Sequence, residues 1–170
     1  PACALRQVLV YASIMAKHRE AAEVMAAECL CFRARRVSRA LTRLYNEALR
    51  PLGIQATQLT LMSAVALFGD DGAPMSRLAD VLALDVTTLS RNLRPLEKEG
   101  LVAVERSSTD RRVRLVRLTP EGEDRVASAL PVWRRAQGRV ISALGPELAA
   151  ELHDGFDAAV VAATGEPVVP

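Results

Sequence analysis

The most constraining feature of this chain is a run of four short segments near its middle. The first two have apolar residues at helical spacing and are joined by only Ala83–Asp85, so they predict a helix-turn-helix with helices over about Ser76–Leu82 and Val86–Glu99, the second with Asp85 as its N-cap. The inner stripe of the second helix is predicted to be Val86, Leu89, Leu93 and Leu96. The next two segments, Leu101–Arg106 and Arg112–Leu118, alternate apolar and polar residues around a Ser-Ser-Thr-Asp turn. This alternation predicts a β-hairpin, which would be the wing of a winged helix-turn-helix.

Longer helices are predicted on both sides of this motif. Four further segments carry apolar residues at helical spacing: Glu28–Leu49, Thr57–Phe68 with Thr57 as N-cap, Thr119–Leu144 with Thr119 as N-cap, and Glu147–Ala163. Pro51 and Gly53 end the first of them, and Gly145-Pro146 separates the last two. The predicted fold class is therefore mainly α with a small β-hairpin wing, a winged helix-turn-helix with N- and C-terminal dimerisation helices.

Charge is distributed unevenly along the chain, although its net charge is only +2. Residues 33–50 carry a net charge of +5 and residues 87–117 carry +4, whereas residues 119–170 carry −4. A basic middle and an acidic end predict one surface that faces a polyanion and another that faces elsewhere.

The basic residues of the motif lie where duplex DNA would meet them. The second helix of a helix-turn-helix enters the major groove with its N-terminal residues at base edges, and arginines of a wing reach a narrow minor groove. Hydroxyl groups bind phosphates or bases, and an arginine binds guanine at two acceptors. The candidate DNA-binding residues are Ser76, Thr87, Thr88, Ser90, Arg91, Arg94, Arg111 and Arg112. Pro95 is expected to kink the helix only after its base-reading residues.

Several other classes of function find little support in the sequence. It shows no nucleophile–base set and no phosphate-binding loop, so we expect neither an enzyme nor a bound cofactor. His18 and His153 lie far apart, and no metal site is predicted. The three cysteines (3, 29 and 31) lack a disulfide framework, which predicts free thiols in the cytoplasm, and no apolar run is long enough to span a membrane. A winged-helix protein-interaction module remains the alternative from another class, but it would not need arginines on both helix and wing.

The expected organisation follows from these elements. Trp133, Leu144 and Leu148 lie on helices outside the winged-helix core, where their apolar faces need a partner, so we expect a homodimer. The predicted segments are residues 1–28 as a helical N-terminal extension, 29–56 and 119–164 as dimerisation helices, 57–118 as the winged helix-turn-helix DNA-binding domain, and 165–170 as a tail.

The chain resembles the multiple-antibiotic-resistance regulator (MarR) family from about Cys29 to Ala163. The residues that carry the resemblance are Leu78–Asp80, Leu89–Leu93, Leu96–Val102, Asp110–Arg112 and Leu118–Gly122. The resemblance implies a homodimer with interlocking terminal helices that binds a pseudo-palindromic site on double-stranded DNA, usually as a repressor released by a small ligand or by oxidation. It also implies that Asp110 orients Arg112, which enters the minor groove.

Two kinds of release signal are compatible with the resemblance. It suggests a pocket between the dimer helices and the winged helix, where Arg39 or Arg43 would pair with the carboxylate of a small aromatic or acidic effector. The alternative is a thiol sensor, because Cys31 with Tyr45 is similar to the organic-hydroperoxide-sensing branch, in which a tyrosine bonds the reactive thiolate. That branch has a second tyrosine where this chain has Ala56, which removes one donor to the thiolate. A Cys29–Cys31 disulfide is not expected, because the two side chains point in different directions on a helix. The sequence therefore favours a ligand-released repressor.

Overall fold

A computed structural model describes residue 15 and residues 17–165 of the chain, which divide after Arg43 into two compact units. The first unit is helical, with α1 over residues 17–28 and the greater part of α2 (Leu30–Leu49). Cys29 separates the two helices, and its backbone N–H still donates to the carbonyl of Met25 at 3.0 Å. Residues 1–14 and 16 of the predicted extension, and residues 166–170 of the predicted tail, lie outside the described residues.

The second unit contains the end of α2 and the predicted winged helix. Its further elements are α3 (Ala56–Ala66), β1 (Ala73–Pro74), α4 (Met75–Val81), α5 (Val86–Lys98), β2 (Val102–Arg106), β3 (Arg114–Leu118), α6 (Pro120–Leu144) and α7 (Pro146–Thr164). The three strands form an antiparallel sheet in the order β1-β3-β2. The predicted fold class, mainly α with a small β-hairpin wing, is confirmed. The strand β1 was not predicted, because two residues are too short to show alternation.

A single apolar cluster holds α3, α4, α5 and the sheet together. Leu89, Leu93 and Leu96 recur at helical spacing on one face of α5 and are almost completely buried. They belong to the same cluster as Leu78 of α4 and Val116 of β3. This packing fixes α5 beside the wing, so the two elements expected to bind DNA are held by one core.

The first turn of α3 differs from the prediction. Thr57 was expected to be the N-cap, but α3 begins at Ala56 and its N-cap is Gln55. The backbone N–H of Gln55 donates to the side-chain oxygen of Gln58 at 2.9 Å, and that of Ala56 donates to Asn46 Oδ1 at 2.7 Å. The acceptor of the second bond is a residue ten positions away in α2, which a local capping rule cannot anticipate.

A tight joint connects the wing to α6. Thr119 caps α6 as predicted, with its hydroxyl oxygen accepting from the backbone N–H of Gly122 at 3.1 Å and donating to the carbonyl of Gly100 at 2.6 Å. A Cβ added at Gly122 would lie 2.0 Å from the carbonyl oxygen of Leu101, so this position requires glycine. The cap explains the threonine of the Thr-Pro-Glu-Gly sequence, and the close approach to Leu101 explains its glycine.

The two C-terminal helices pack against each other and leave several large apolar side chains exposed. These are Leu130, Trp133, Leu144, Leu148, Phe156, Val160 and Val161. Within the described part of the chain, no helix combines the length and apolar character that crossing a membrane requires.

Candidate nucleic-acid interface

An open groove runs between the N-terminal half of α5 and the wing. The residues that line it are Met75, Ser76, Val86, Thr87, Ser90, Arg91, Arg94, Arg112, Val113 and Arg114. It therefore brings together six of the eight candidate DNA-binding residues, all except Thr88 and Arg111. Four of its lining residues are arginines and none is acidic, so the groove has the electrostatic character of an anion-binding surface.

The N-terminus of α5 is fixed by its predicted cap, Asp85. One carboxylate oxygen of Asp85 accepts from the backbone N–H of Thr88 at 2.8 Å, and the other accepts from the Thr88 hydroxyl at 2.6 Å. The hydrogen bond from the Thr88 hydroxyl, followed by that from its backbone, holds the pKa of the Asp85 carboxyl below its usual value. Thr88 thus serves the helix cap and does not line the groove, unlike its neighbour Thr87.

Val86 points into the groove, contrary to the prediction that it belongs to the buried stripe of α5. Its side chain is 48% exposed, whereas that of Leu89, one turn later, is fully buried. Both residues share a helical face by spacing, but Val86 is the first residue of α5 and the core that covers Leu89 does not extend over it. Helical periodicity predicts which face of the helix a side chain lies on. It does not predict how far along that face the core extends.

Short-range hydrogen bonds build the tip of the wing. The Ser107 hydroxyl oxygen accepts from the backbone N–H groups of Thr109 at 3.2 Å and Asp110 at 3.4 Å. Asp110 Oδ1 accepts from the backbone N–H of Arg112 at 2.9 Å. Asp110 therefore contacts Arg112 through the main chain, and the Arg112 side chain extends into the groove. Arg111, beside it, is exposed but does not line the groove.

The remaining arginines of the hairpin have different surroundings. Arg114 lines the groove and is directly opposite Arg106 in the sheet, a like-charged pair that destabilises an isolated hairpin. Arg114 lies in the basic segment 87–117 but was not among the candidate DNA-binding residues. Arg117 instead lies over Gly72, where an added Cβ would be 2.9 Å from its Cγ, and lines a smaller cavity with Asp70 and Glu123.

The candidate sensor and effector residues lie outside the groove. In the first unit Cys31, Arg39 and Arg43 are exposed. The Arg35 guanidinium donates from Nε to Cys31 Sγ at 3.4 Å, and this hydrogen bond raises the pKa of Arg35. In the second unit the Tyr45 hydroxyl donates to Gln137 Oε1 of α6, and partial burial raises its pKa. Among the described residues no group of three His, Cys, Asp or Glu is arranged to hold a metal ion.

Comparison with known proteins gives consistent matches. The model of the MarR family matches residues 52–113, which span α3 to the wing. The HTH-type transcriptional regulator YdgJ of Bacillus subtilis is 34% identical over 77 residues, which are 45% of this chain and 46% of that protein. The organic hydroperoxide resistance transcriptional regulator of the same species is 31% identical over 93 residues, 55% of this chain and 62% of that protein. The chain thus matches about half the length of these curated relatives.

Solved structures are matched over nearly their whole length, and one example is a regulator bound to DNA. The transcriptional regulator MosR of M. tuberculosis, solved in complex with DNA, is 34% identical to this chain with a TM-score of 0.67. The match covers 78% of this chain and 96% of that one.

Proposed function

The chain belongs to the MarR family, and from this premise we propose that it is a sequence-specific DNA-binding transcriptional regulator that acts as a homodimer. The observation that carries the proposal is the groove between α5 and the wing, with four arginines, three hydroxyl side chains and no acidic residue. The solved structure of MosR in complex with DNA supports DNA as the ligand.

Each candidate residue has a role in this proposal. With α5 in the major groove, Arg91 and Arg94 are within reach of guanine acceptors, and the groove hydroxyls of Ser76, Thr87 and Ser90 bind phosphates or base edges. The wing carries Arg112 to the minor groove, where the negative potential of a narrow groove favours a guanidinium.

The other basic and polar residues near the groove have supporting roles. Arg111, exposed on the wing but outside the groove, binds phosphate. Thr88 acts indirectly, by fixing the first turn of α5 through Asp85. Arg106 and Arg114 form a like-charged pair whose repulsion a bound phosphate would relieve.

We expect the protein to be a dimer at micromolar concentration. The exposed side chains of Trp133, Leu148 and Phe156 on α6 and α7 form apolar surface that a second copy would cover. Such a dimer would use segments 29–56 and 119–164 as dimerisation helices and present two winged helix-turn-helix domains, residues 57–118. Light scattering should give the mass of two chains, and Trp133→Glu should shift the mass toward one chain. A monomeric wild-type protein would contradict this assignment.

The decisive experiment is selection of bound duplexes from a random pool. We expect an enriched pseudo-palindrome whose half-sites lie about 10 base pairs apart, one turn of DNA, because a two-fold dimer presents two recognition helices. Affinity for the selected duplex should fall steeply with salt, because binding releases counterions from the phosphates. Failure to enrich any duplex would refute the proposal and favour a protein-interaction module.

The proposal also includes how DNA binding is regulated. We propose a repressor that a small aromatic or acidic effector releases from DNA, with Arg39 or Arg43 pairing with the carboxylate of the effector. Both arginines are exposed, and neither forms an ion pair among the described residues. Replacing either with glutamine should weaken effector-induced release and leave DNA affinity unchanged. Unchanged release from both variants would remove these arginines from the effector site.

A thiol-based release is the second candidate, favoured by the contact of Arg35 with Cys31. This contact places a positive charge 3.4 Å from the sulfur that a peroxide would oxidise, and the organic hydroperoxide resistance regulator of Bacillus subtilis is 31% identical over 93 residues. In this case Cys31→Ser should bind DNA normally but resist release by an organic hydroperoxide. Cys29→Ser, an exposed thiol two residues away, serves as the matched control and should release as the wild type does. Normal peroxide release of Cys31→Ser would exclude Cys31 as the sensor.

A further inference from the structure

An exposed apolar side chain stands among the polar residues of the groove. Val86 is 48% exposed at the first position of α5, next to Thr87 and one turn before Ser90. Met75 and Val113 also line the groove, but Met75 is only 7% exposed and Val113 is half-buried. Val86 is therefore the main source of accessible apolar surface on the helix that faces the groove.

We propose that Val86 is a specificity-determining residue that contacts the 5-methyl group of a thymine in each half-site. The inference rests on the proposed function and names one base that α5 reads. The first residues of a recognition helix meet base edges in the major groove. Thymine is the base that presents a methyl group there, and small apolar side chains pack against it.

The local structure makes Val86 suitable for such a contact. The two hydrogen bonds between Asp85 and Thr88 fix the turn that carries it, so its backbone is ordered before DNA binds. A β-branched side chain has few rotamers and loses little entropy on forming a contact. Val86, Thr87 and Arg91 line the same groove, so the thymine is expected to lie close to the bases that Thr87 and Arg91 contact.

The test replaces thymine by deoxyuridine at single positions of the selected duplex, which removes the methyl group and leaves the base-pairing edge intact. At one thymine per half-site we expect wild-type affinity to fall about four-fold, and about fifteen-fold when both half-sites are changed. Val86→Ala should bind the unmodified duplex more weakly and lose most of this sensitivity at that position. Its sensitivity to deoxyuridine elsewhere should match that of the wild type.

Leu67→Ala is the matched control, because Leu67 is 67% exposed at the end of α3 and does not line the groove. It should keep the full response to deoxyuridine, and thermal melts should show that both variants are folded. Equal sensitivity in the wild type and in Val86→Ala, or no sensitive thymine at all, would overturn the inference while leaving DNA binding intact. Failure of the wild type to select any duplex would instead overturn the proposed function, and this inference with it.

Discussion

Replacing Gly122 by alanine is expected to lower the free energy of unfolding of the second unit by about 3 kcal/mol or more. The added Cβ would lie 2.0 Å from the carbonyl oxygen of Leu101 and 3.0 Å from its carbon, and both are backbone atoms that no rotamer change can move. Relief requires α6 to shift away from the wing. That shift would disturb the hydrogen bond from the backbone N–H of Thr119 to the same carbonyl, which measures 3.1 Å.

Gly138→Ala provides the control for this substitution, because Gly138 lies on the same helix and an added Cβ there meets nothing within 4 Å. Alanine should stabilise the helix interior by about 0.5–1 kcal/mol relative to glycine. Urea denaturation of the two variants should therefore move the midpoint in opposite directions. A Gly122→Ala protein as stable as the wild type would show that α6 has room to move at this joint.

The elements of this fold that sequence predicted correctly are those specified by neighbouring residues. Asp85 and Thr119 cap their helices through hydrogen bonds to residues three positions later, so the type and spacing of these residues are enough to locate both helix starts. The hairpin was predicted for the same reason, since its turn is closed by short-range hydrogen bonds that the side chains of Ser107 and Asp110 accept. Local chemistry thus located the recognition helix and the wing.

The parts that sequence did not predict depend on distant contacts. The start of α3 involves Asn46 of α2, and the exposure of Val86 depends on where the core ends. Arg114 and Arg117 lie three residues apart in β3 and therefore on opposite faces of the strand, and the packing around the sheet decides which of them lines the groove. Sequence therefore identified a basic hairpin, but only the folded arrangement shows which arginines share the groove with α5.

The largest effects on DNA recognition are expected from Arg91 and Arg112, and they should differ in kind. If Arg91 binds a guanine at two acceptors, Arg91→Ala should lose about 1–3 kcal/mol per half-site. Across the two half-sites of a dimer the loss is roughly 30-fold to more than 10,000-fold in affinity. The loss should be confined to duplexes with the preferred base at one position of each half-site, so the variant should tolerate any base there.

Arg112→Ala should weaken binding to every duplex, and most strongly where A·T-rich flanks narrow the minor groove. Arg111→Ala is its matched control, because Arg111 is the adjacent exposed wing arginine outside the groove. Arg111→Ala should make the slope of log affinity against log salt concentration shallower by about one unit per wing. The loss of affinity should be the same whatever the flanking sequence. Binding titrations of Arg91→Ala, Arg111→Ala and Arg112→Ala distinguish contacts with a base, a phosphate and the minor groove. The duplexes should differ at one base or in their flanking sequence. An equal loss on all duplexes for Arg91→Ala would show that Arg91 holds phosphate, and flank-independent loss for Arg112→Ala would place the wing on the backbone.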